Sequence, residues 1–500
     1  MRWASPLLLL AILTLAALAP GASAEFGAYG KDGWPIAADG TSTNPYPGVT
    51  ADEFTAIVAD GDPLNQVAGV TLYPYWPLLT AEVQRLAADH PDRVKLTSIG
   101  KSTAGLDLWM LEIANFGAAS EPGFIPLEER EVVWVDGGTH SNEYSGVYFA
   151  LAWAQYLVED YENDDLARWI VDNRHTWILP MVNPDGSNAM GRLNAHLVNI
   201  NRNYPIVWDG QGHDELMNNR GPSPASEVET RITMEWYNKT KPDYLASVHC
   251  CGNLWLYPYG EEGVDPVDQS MFQKVCDQAF PEVRQYCGPI WSTIYPASGS
   301  SVDTAYEYTG AVAFGYEMSG RGAISLWGQP LTNEAVRIQE NESWNGLLHA
   351  FLNVHLYGAY PKVQDVKADA DGLVVTVHND GFGNLTAGAL RLDMPSGAKA
   401  EVALPFIAAG ESAVVRIPCK EDGTHQLTVQ YTKRLEDSGP QASRSVPVAI
   451  GQASQAVSVD AGGFVALRPT ASTVDVPALG PMTVLALAAV AVVLRVKNGS

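Results

Sequence analysis

Two residue types capable of holding a metal stand three apart in this chain: His140 and Glu143, at the end of Val132-Val133-Trp134-Val135-Asp136-Gly137-Gly138-Thr139. An apolar strand running into two glycines lets the backbone turn. An imidazole and a carboxylate one helical turn apart can then point at one ion. Alone, H-x-x-E arises often by chance, and a surface histidine beside a helix-stabilising glutamate reads the same way. His249 adds a third donor, because it closes the apolar run Tyr244–Val248 and so also stands at a strand terminus. Two histidines and one glutamate leave a fourth tetrahedral position for water, as in catalytic rather than closed structural zinc sites. His249 by itself also reads as a core histidine. Cys250 and Cys251 beside it offer thiolate ligation as an alternative, which the opposite facing of consecutive strand residues disfavours. Glu317 ends another apolar run, between Gly315-Tyr316 and Met318-Ser319-Gly320, where a charge is costly unless it has a task.

These groups need elements to position them. From about 71 to 356, short apolar runs alternate with amphipathic stretches. Residues 94–99, 106–114, 132–135, 176–182, 244–249 and 311–316 read as strands, and 144–160, 226–238 and 333–355 as helices. The alternation predicts an α/β domain with a sheet covered on both faces, whose ligands sit beyond the carboxyl ends of the strands. Past Tyr360 the character changes. Residues 363–368, 373–377, 389–392, 413–417 and 425–431 are short alternating strands separated by turns such as Asn379-Asp380-Gly381, which predicts a small immunoglobulin-like β-sandwich over 357–450.

The order of motifs is more specific than any one of them. H-x-x-E is followed by Val182-Asn183-Pro184-Asp185-Gly186, Asn201-Arg202-Asn203-Tyr204, Ser247-Val248-His249, Tyr257-Pro258-Tyr259-Gly260, Ile294-Tyr295 and Tyr316-Glu317. Over residues 71 to 356 this resembles the carboxypeptidase A-like zinc metallocarboxypeptidases. The resemblance implies an α/β/α sandwich around a mixed eight-stranded sheet, one zinc ion held by His140, Glu143 and His249, and peptide or protein C-termini as substrates. It also implies Glu317 as general base and Arg192 as the donor to the developing oxyanion. Asn201 and Arg202 match the pair gripping the terminal carboxylate, and Tyr295 the mobile tyrosine that closes on it. Leu256, Gly260, Ile290, Ile294, Ala297, Val302 and Gly315 match the pocket for the terminal side chain. That lining leans towards apolar or aromatic residues, although Glu261 and Glu262 nearby offer a basic preference instead. Taken alone, Arg192 and Arg202 also read as surface salt-bridge partners and Tyr295 as packing. The sequence departs from the resemblance at Asn199, where many relatives carry an aspartate that orients the first histidine. Asn199 accepts the same hydrogen bond without bringing charge. The resemblance leaves two rivals: a cell-wall peptide amidase or other deacylase on the same scaffold, and an inactive surface-binding protein.

Composition sets outer bounds. The chain has 500 residues, 46% of them hydrophobic, which suits two or three globular domains. A formal charge of −26 disfavours nucleic acid as a partner. Five cysteines leave at least one thiol without an internal partner, and Cys276 and Cys287 are close enough to pair. Arg2, the apolar run 7–18 and Ala22-Ser23-Ala24 read as a secretory signal cut before Glu25, so the mature protein is expected outside the cell. Residues 25–70 read as a short leader and 451–475 as a linker. The apolar run 476–494 is followed by Arg495 and Lys497 and reads as a membrane anchor or sorting tail, giving attachment to the cell surface.

Overall fold

The computed structural model describes residues 66–67, 70–71, 76–117, 125–188, 192–214, 217–250, 252–318, 340–369, 371–432, 441–450 and 457–459. The signal segment 1–24, nearly all of the leader and the apolar run 476–494 lie outside them. Among the described residues no helix is long and apolar enough to cross a membrane.

The α/β part of the chain is built on eight strands. They are β1 (Val94–Lys101), β2 (Asp107–Ile113), β3 (Glu131–Gly137), β4 (Arg174–Leu179), β5 (Tyr244–Cys250), β6 (Leu254–Tyr257), β7 (Cys287–Pro289) and β8 (Val312–Met318). Their order across the sheet is β1-β2-β4-β3-β5-β8-β6-β7. The four central strands β4, β3, β5 and β8 run parallel, while β1-β2, β2-β4 and β8-β6 pair antiparallel, so the sheet is mixed. The longer helices are α1 (Trp76–Asp89), α2 (Tyr144–Glu159), α3 (Asp165–Asn173), α4 (Val228–Thr240), α5 (Gln269–Ala279), α6 (Ser301–Thr309) and α7 (Asn341–Asn353).

Burial explains why β3, β5 and β8 read as continuous apolar runs. Val133, Trp134, Val135, Leu245, Ala246, Ala313 and Phe314 are all fully buried, as central parallel strands require when helices cover both faces. Helix α2 is apolar nearly all round, and fourteen of its sixteen residues are buried. The short strands β6 and β7 and the helices α1, α3, α5 and α6 were not anticipated. Four- and three-residue strands carry too little period to register, and α3 is short. Asp164 caps α3 by accepting from the Leu166 and Ala167 amides. Helix α7 begins at Asn341, and residues 333–339 of the expected longer helix lie outside the described residues.

Two sheets follow: β9 (Pro361–Asp369), β10 (Gly372–Asn379) and β13 (Ser412–Ile417) in one, and β11 (Gly388–Asp393), β12 (Lys399–Ala403), β14 (Gly423–Thr432), β15 (Gln441–Ile450) and β16 (Val457–Val459) in the other. Leu373, Val375 and Val377 of β10 and Leu390, Leu392, Leu427 and Val429 of the second sheet share one core. Pairing of β16 with β15 extends this sheet to Val459, into the segment read as linker.

Candidate metal centre and substrate site

Gly146 and Gly137 let three backbones meet. A Cβ on Gly146, in the first turn of α2, would lie 2.4 Å from the Val248 carbonyl oxygen; one on Gly137 would lie 2.5 Å from the Gly146 carbonyl oxygen. The end of β3, the start of α2 and the end of β5 therefore touch. Gly138, at φ 64°, turns the chain between β3 and His140. His140 and Glu143 lie in this turn, with Glu143 immediately before α2.

His140, Glu143 and His249 each offer one ligand atom, and these atoms all lie within 4.8 Å of one another. His140 Nδ1 is 3.2 Å from His249 Nδ1, and these nitrogens lie 2.9 and 3.0 Å from the two Glu143 oxygens. Both outer ring nitrogens have acceptors: Asn199 Oδ1 lies 2.9 Å from His140 Nε2, and Ser247 Oγ 3.2 Å from His249 Nε2. With the Nε2 protons donated outwards, both Nδ1 lone pairs face the carboxylate. Three electron-pair donors then converge on one point, and this donor set fits a zinc ion. Asn199 accepts from His140, as its amide oxygen was expected to do. Its amide nitrogen donates to the Met217 carbonyl and Asn218 Oδ1, which fixes that orientation. Cys250 is disulfide-bonded and offers no thiolate. Cys276 pairs with Cys287, and Cys419 is a buried free thiol.

Electrostatics separate the two glutamates. Burial pushes Glu143 up, but the charges and hydrogen bonds of His140 and His249 outweigh it and hold the carboxyl well below its ordinary range. Burial holds His140 down to about 4, whereas hydrogen bonding to Glu143 overcomes burial at His249 and raises it. Glu317 is raised to about 7 by burial and then by the charge of Glu143. It pairs in register with His249 across β8 and β5, so it stands beside the donor cluster at the carboxyl end of the sheet.

Arg192 does not stand free over the cleft. Its Nη1 donates to Glu143 Oε1 at 2.7 Å. Arg202 is 2% exposed, yet forms no ion pair among the described residues. Its Nε and Nη1 donate to the carbonyls of Gly212 and Asn201, which fixes the guanidinium plane. Burial lowers its pKa, and the neighbouring Tyr295 hydroxyl acts the other way. Tyr295 itself is 47% exposed, at the surface rather than in the core. Asn201 Oδ1 accepts from the Ser301 amide, so its NH2 group is turned towards His249, 3.5 Å from Nε2.

The pocket residues also gather. Leu256, Ile290, Ala297 and Val302 are buried, and Ile294 packs against the same core. A Cβ on Gly315 would lie 3.7 Å from both Leu256 Cβ and Val302 Cγ2, while the Gly260 carbonyl accepts from the Ala297 amide. The Glu261 carboxylate accepts from Ser298 Oγ and the Gln211 amide, so it ties two loops together. Sequence reading missed Asp303, wholly buried beside Val302, which accepts from the Gly260 amide and is raised to about 7 by burial. It also missed Asp136 and Ser247 beneath the metal site. Burial raises Asp136 against the hydrogen bonds of Ser247 and Trp134. Its signal was visible, since it is the sole charge in the run Val132–Gly138.

A family model described as zinc carboxypeptidase matches residues 79–345, more than half of the chain. Carboxypeptidase A2 of Mus musculus is 27% identical over 290 residues, covering 53% of this chain and 66% of that protein. Carboxypeptidase A1 of Sus scrofa is 28% identical over 292 residues, covering 53% and 65%. The chain thus spans just under two thirds of the length of these curated relatives. The crystal structure of thrombin activatable fibrinolysis inhibitor superposes with a TM-score of 0.51 at 19% identity, over 61% of this chain and 79% of that one, which is a likeness of fold.

Proposed function

This chain belongs to the zinc carboxypeptidase family, and from that premise we propose that it removes C-terminal residues from peptides and proteins outside the cell. The observation that carries the exopeptidase reading is Arg202, a buried guanidinium without a carboxylate partner among the described residues. An uncompensated buried cation is costly, and the free carboxylate of a peptide C-terminus is the anion that would relieve it, in a bidentate fork. Asn201, held by Ser301, offers its NH2 group alongside, and Tyr295 closes over the same carboxylate. Leu256, Ile290, Ile294, Ala297 and Val302 then receive an apolar or aromatic terminal side chain. With Glu261 engaged by Ser298 and Gln211, an apolar preference is favoured over a basic one.

His140, Glu143 and His249 would hold the zinc. Bound zinc supplies a water whose pKa falls from about 15.7 to ~7 and polarises the scissile carbonyl. Glu317 takes the proton of the attacking water and passes it to the leaving amine, a task suited to a carboxyl near 7. Arg192 supplies positive charge where the oxyanion develops, a contribution of about 3–4 kcal/mol per donor in other hydrolases.

A panel of N-blocked dipeptides with free or amidated C-termini, assayed with and without chelator, tests the reading. Cleavage of the free acids alone, abolished by chelation and restored by zinc, is the expected result. Arg202→Ala should lower kcat/KM by about 10–100-fold, the worth of one charge-assisted contact. Equal hydrolysis of the amides would replace the exopeptidase by an amidase or deacylase. Export rests on residues 1–24, and the N-terminal sequence of protein recovered from the medium, expected at Glu25, tests it. Surface attachment rests on residues 476–494, and retention of the protein in the cell envelope until that segment is deleted tests it.

A further inference from the structure

The outer ring nitrogens of the two metal-binding histidines face different partners. His140 Nε2 meets a neutral amide, Asn199. His249 Nε2 meets Ser247 Oγ at 3.2 Å, and Ser247 Oγ in turn lies 2.7 Å from Asp136 Oδ1. All three residues are buried, Asp136 at 1% exposure and Ser247 at none. The other Asp136 oxygen accepts from Trp134 Nε1 at 2.8 Å and from the Tyr237 hydroxyl at 3.3 Å. Trp134 is a donor only, so this oxygen must accept. The Ser247 hydroxyl has a single proton, and Asp136 Oδ1 is its closest acceptor. Its lone pairs are left to accept from His249 Nε2–H and from Ser301 Oγ, 3.3 Å away. Asn201 Nδ2, the other polar atom near His249 Nε2, is itself a donor because Asn201 Oδ1 is occupied by the Ser301 amide. With Nδ1 given to the metal, Nε2 carries the ring proton, so the chain runs from His249 Nε2–H to Ser247 and from Ser247 O–H to Asp136.

We propose that Asp136, acting through Ser247, is the outer-shell anion that orients His249 and strengthens it as a zinc ligand, so that charge support reaches the second histidine where Asn199 gives the first none. Ser247 and Asp136 are positioning residues. They lock His249 in the tautomer that leaves Nδ1 free for the metal, and the buried carboxylate offsets the ion's positive charge. This rests on the zinc-site reading given above. Outer-shell partners of this kind change metal affinity by about 10–100-fold.

The test is zinc affinity, measured by competition with a chromogenic chelator on the full chain, for wild type, Ser247→Ala, Asp136→Asn and the double variant. Ser247→Ala removes one oxygen and leaves the Trp134 and Tyr237 anchors of Asp136 in place, so it reports even if Asp136→Asn fails to fold. Zinc should bind the wild type one to one, and Ser247→Ala should weaken it about 10–100-fold. Because the two residues act in series, the double variant should bind within about twofold of the weaker single variant. Asn199→Asp, which restores a carboxylate to His140, should recover affinity in the Ser247→Ala background. Zinc affinity of Ser247→Ala within twofold of a zinc-binding wild type would overturn the relay while leaving the metal site standing, and so would full additivity of the two variants. A wild type that binds no zinc overturns both readings.

Discussion

At the scale of single residues, the site works by setting two nearby glutamates apart. Glu143 sits among two imidazoles and Arg192, which stabilise its anion. Glu317 has burial and the Glu143 charge against it, and rises to about 7. In the role of general base proposed above, Glu317 works deprotonated, so kcat/KM should fall as pH drops through its pKa. A bound divalent cation favours the anion and moves that limb below 7. Glu317→Gln should abolish the limb and lower kcat by about 10²–10⁴-fold, with zinc still bound. A pH–rate profile of both proteins, with metal content measured on each, checks this. A profile for Glu317→Gln that keeps the wild-type acid limb would assign the proton transfer elsewhere.

At the scale of elements, the donor cluster depends on how closely α2 approaches the ends of β3 and β5. Gly146 permits backbone contact with Val248, the residue before His249, and Gly137 permits contact with Gly146. Gly146→Ala puts a methyl 2.4 Å from a carbonyl oxygen, with backbone on both sides and no flexible side chain to yield. The helix must shift, and overpacking of this kind costs about 1–3 kcal/mol. Because Glu143 stands at the start of that helix, zinc affinity should fall together with stability. Denaturant unfolding and chelator competition on Gly146→Ala measure the two. Loss of stability with unchanged zinc affinity would mean that α2 does not set the ligand geometry.

At the scale of the whole molecule, the β-sandwich packs against the α/β part of the chain. Phe382, in the turn after β10, packs in the core of the α/β part, its ring 5.6 Å from that of Tyr357. Phe382 and Gly383 donate to the carbonyls of Leu356 and Gly358, and a Cβ on Gly381 would meet the Gly358 carbonyl at 2.1 Å. Phe382→Ala should cost about 3–5 kcal/mol at this junction. It should split thermal unfolding into two transitions while leaving zinc affinity unchanged. Differential scanning calorimetry checks it; a single transition at the wild-type midpoint would show that the ring contributes nothing to docking.

Local signals in the chain carried much of this. The apolar runs of β3, β5 and β8 are legible because central parallel strands are buried on both faces, and the sandwich strands because they alternate. His140 and Glu143 could be picked out by their three-residue spacing after a buried strand and two glycines, and His249 and Glu317 because a polar group ending a buried strand needs a reason to be there. The order of motifs carried the family. What the one-dimensional pattern could not hold is adjacency. Strands β3, β5 and β8, from positions 131 to 318, lie side by side, and that order alone brings the donors together and sets Glu317 opposite His249. The tertiary structure also decided that Glu261 is a loop tie, that Arg202 is a buried cation without an anion among the described residues, and that Asp136 reaches His249 through Ser247. Each of these is a hydrogen bond, or the lack of an ion pair, between segments distant in the chain, and such contacts leave no period, run or spacing in a sequence.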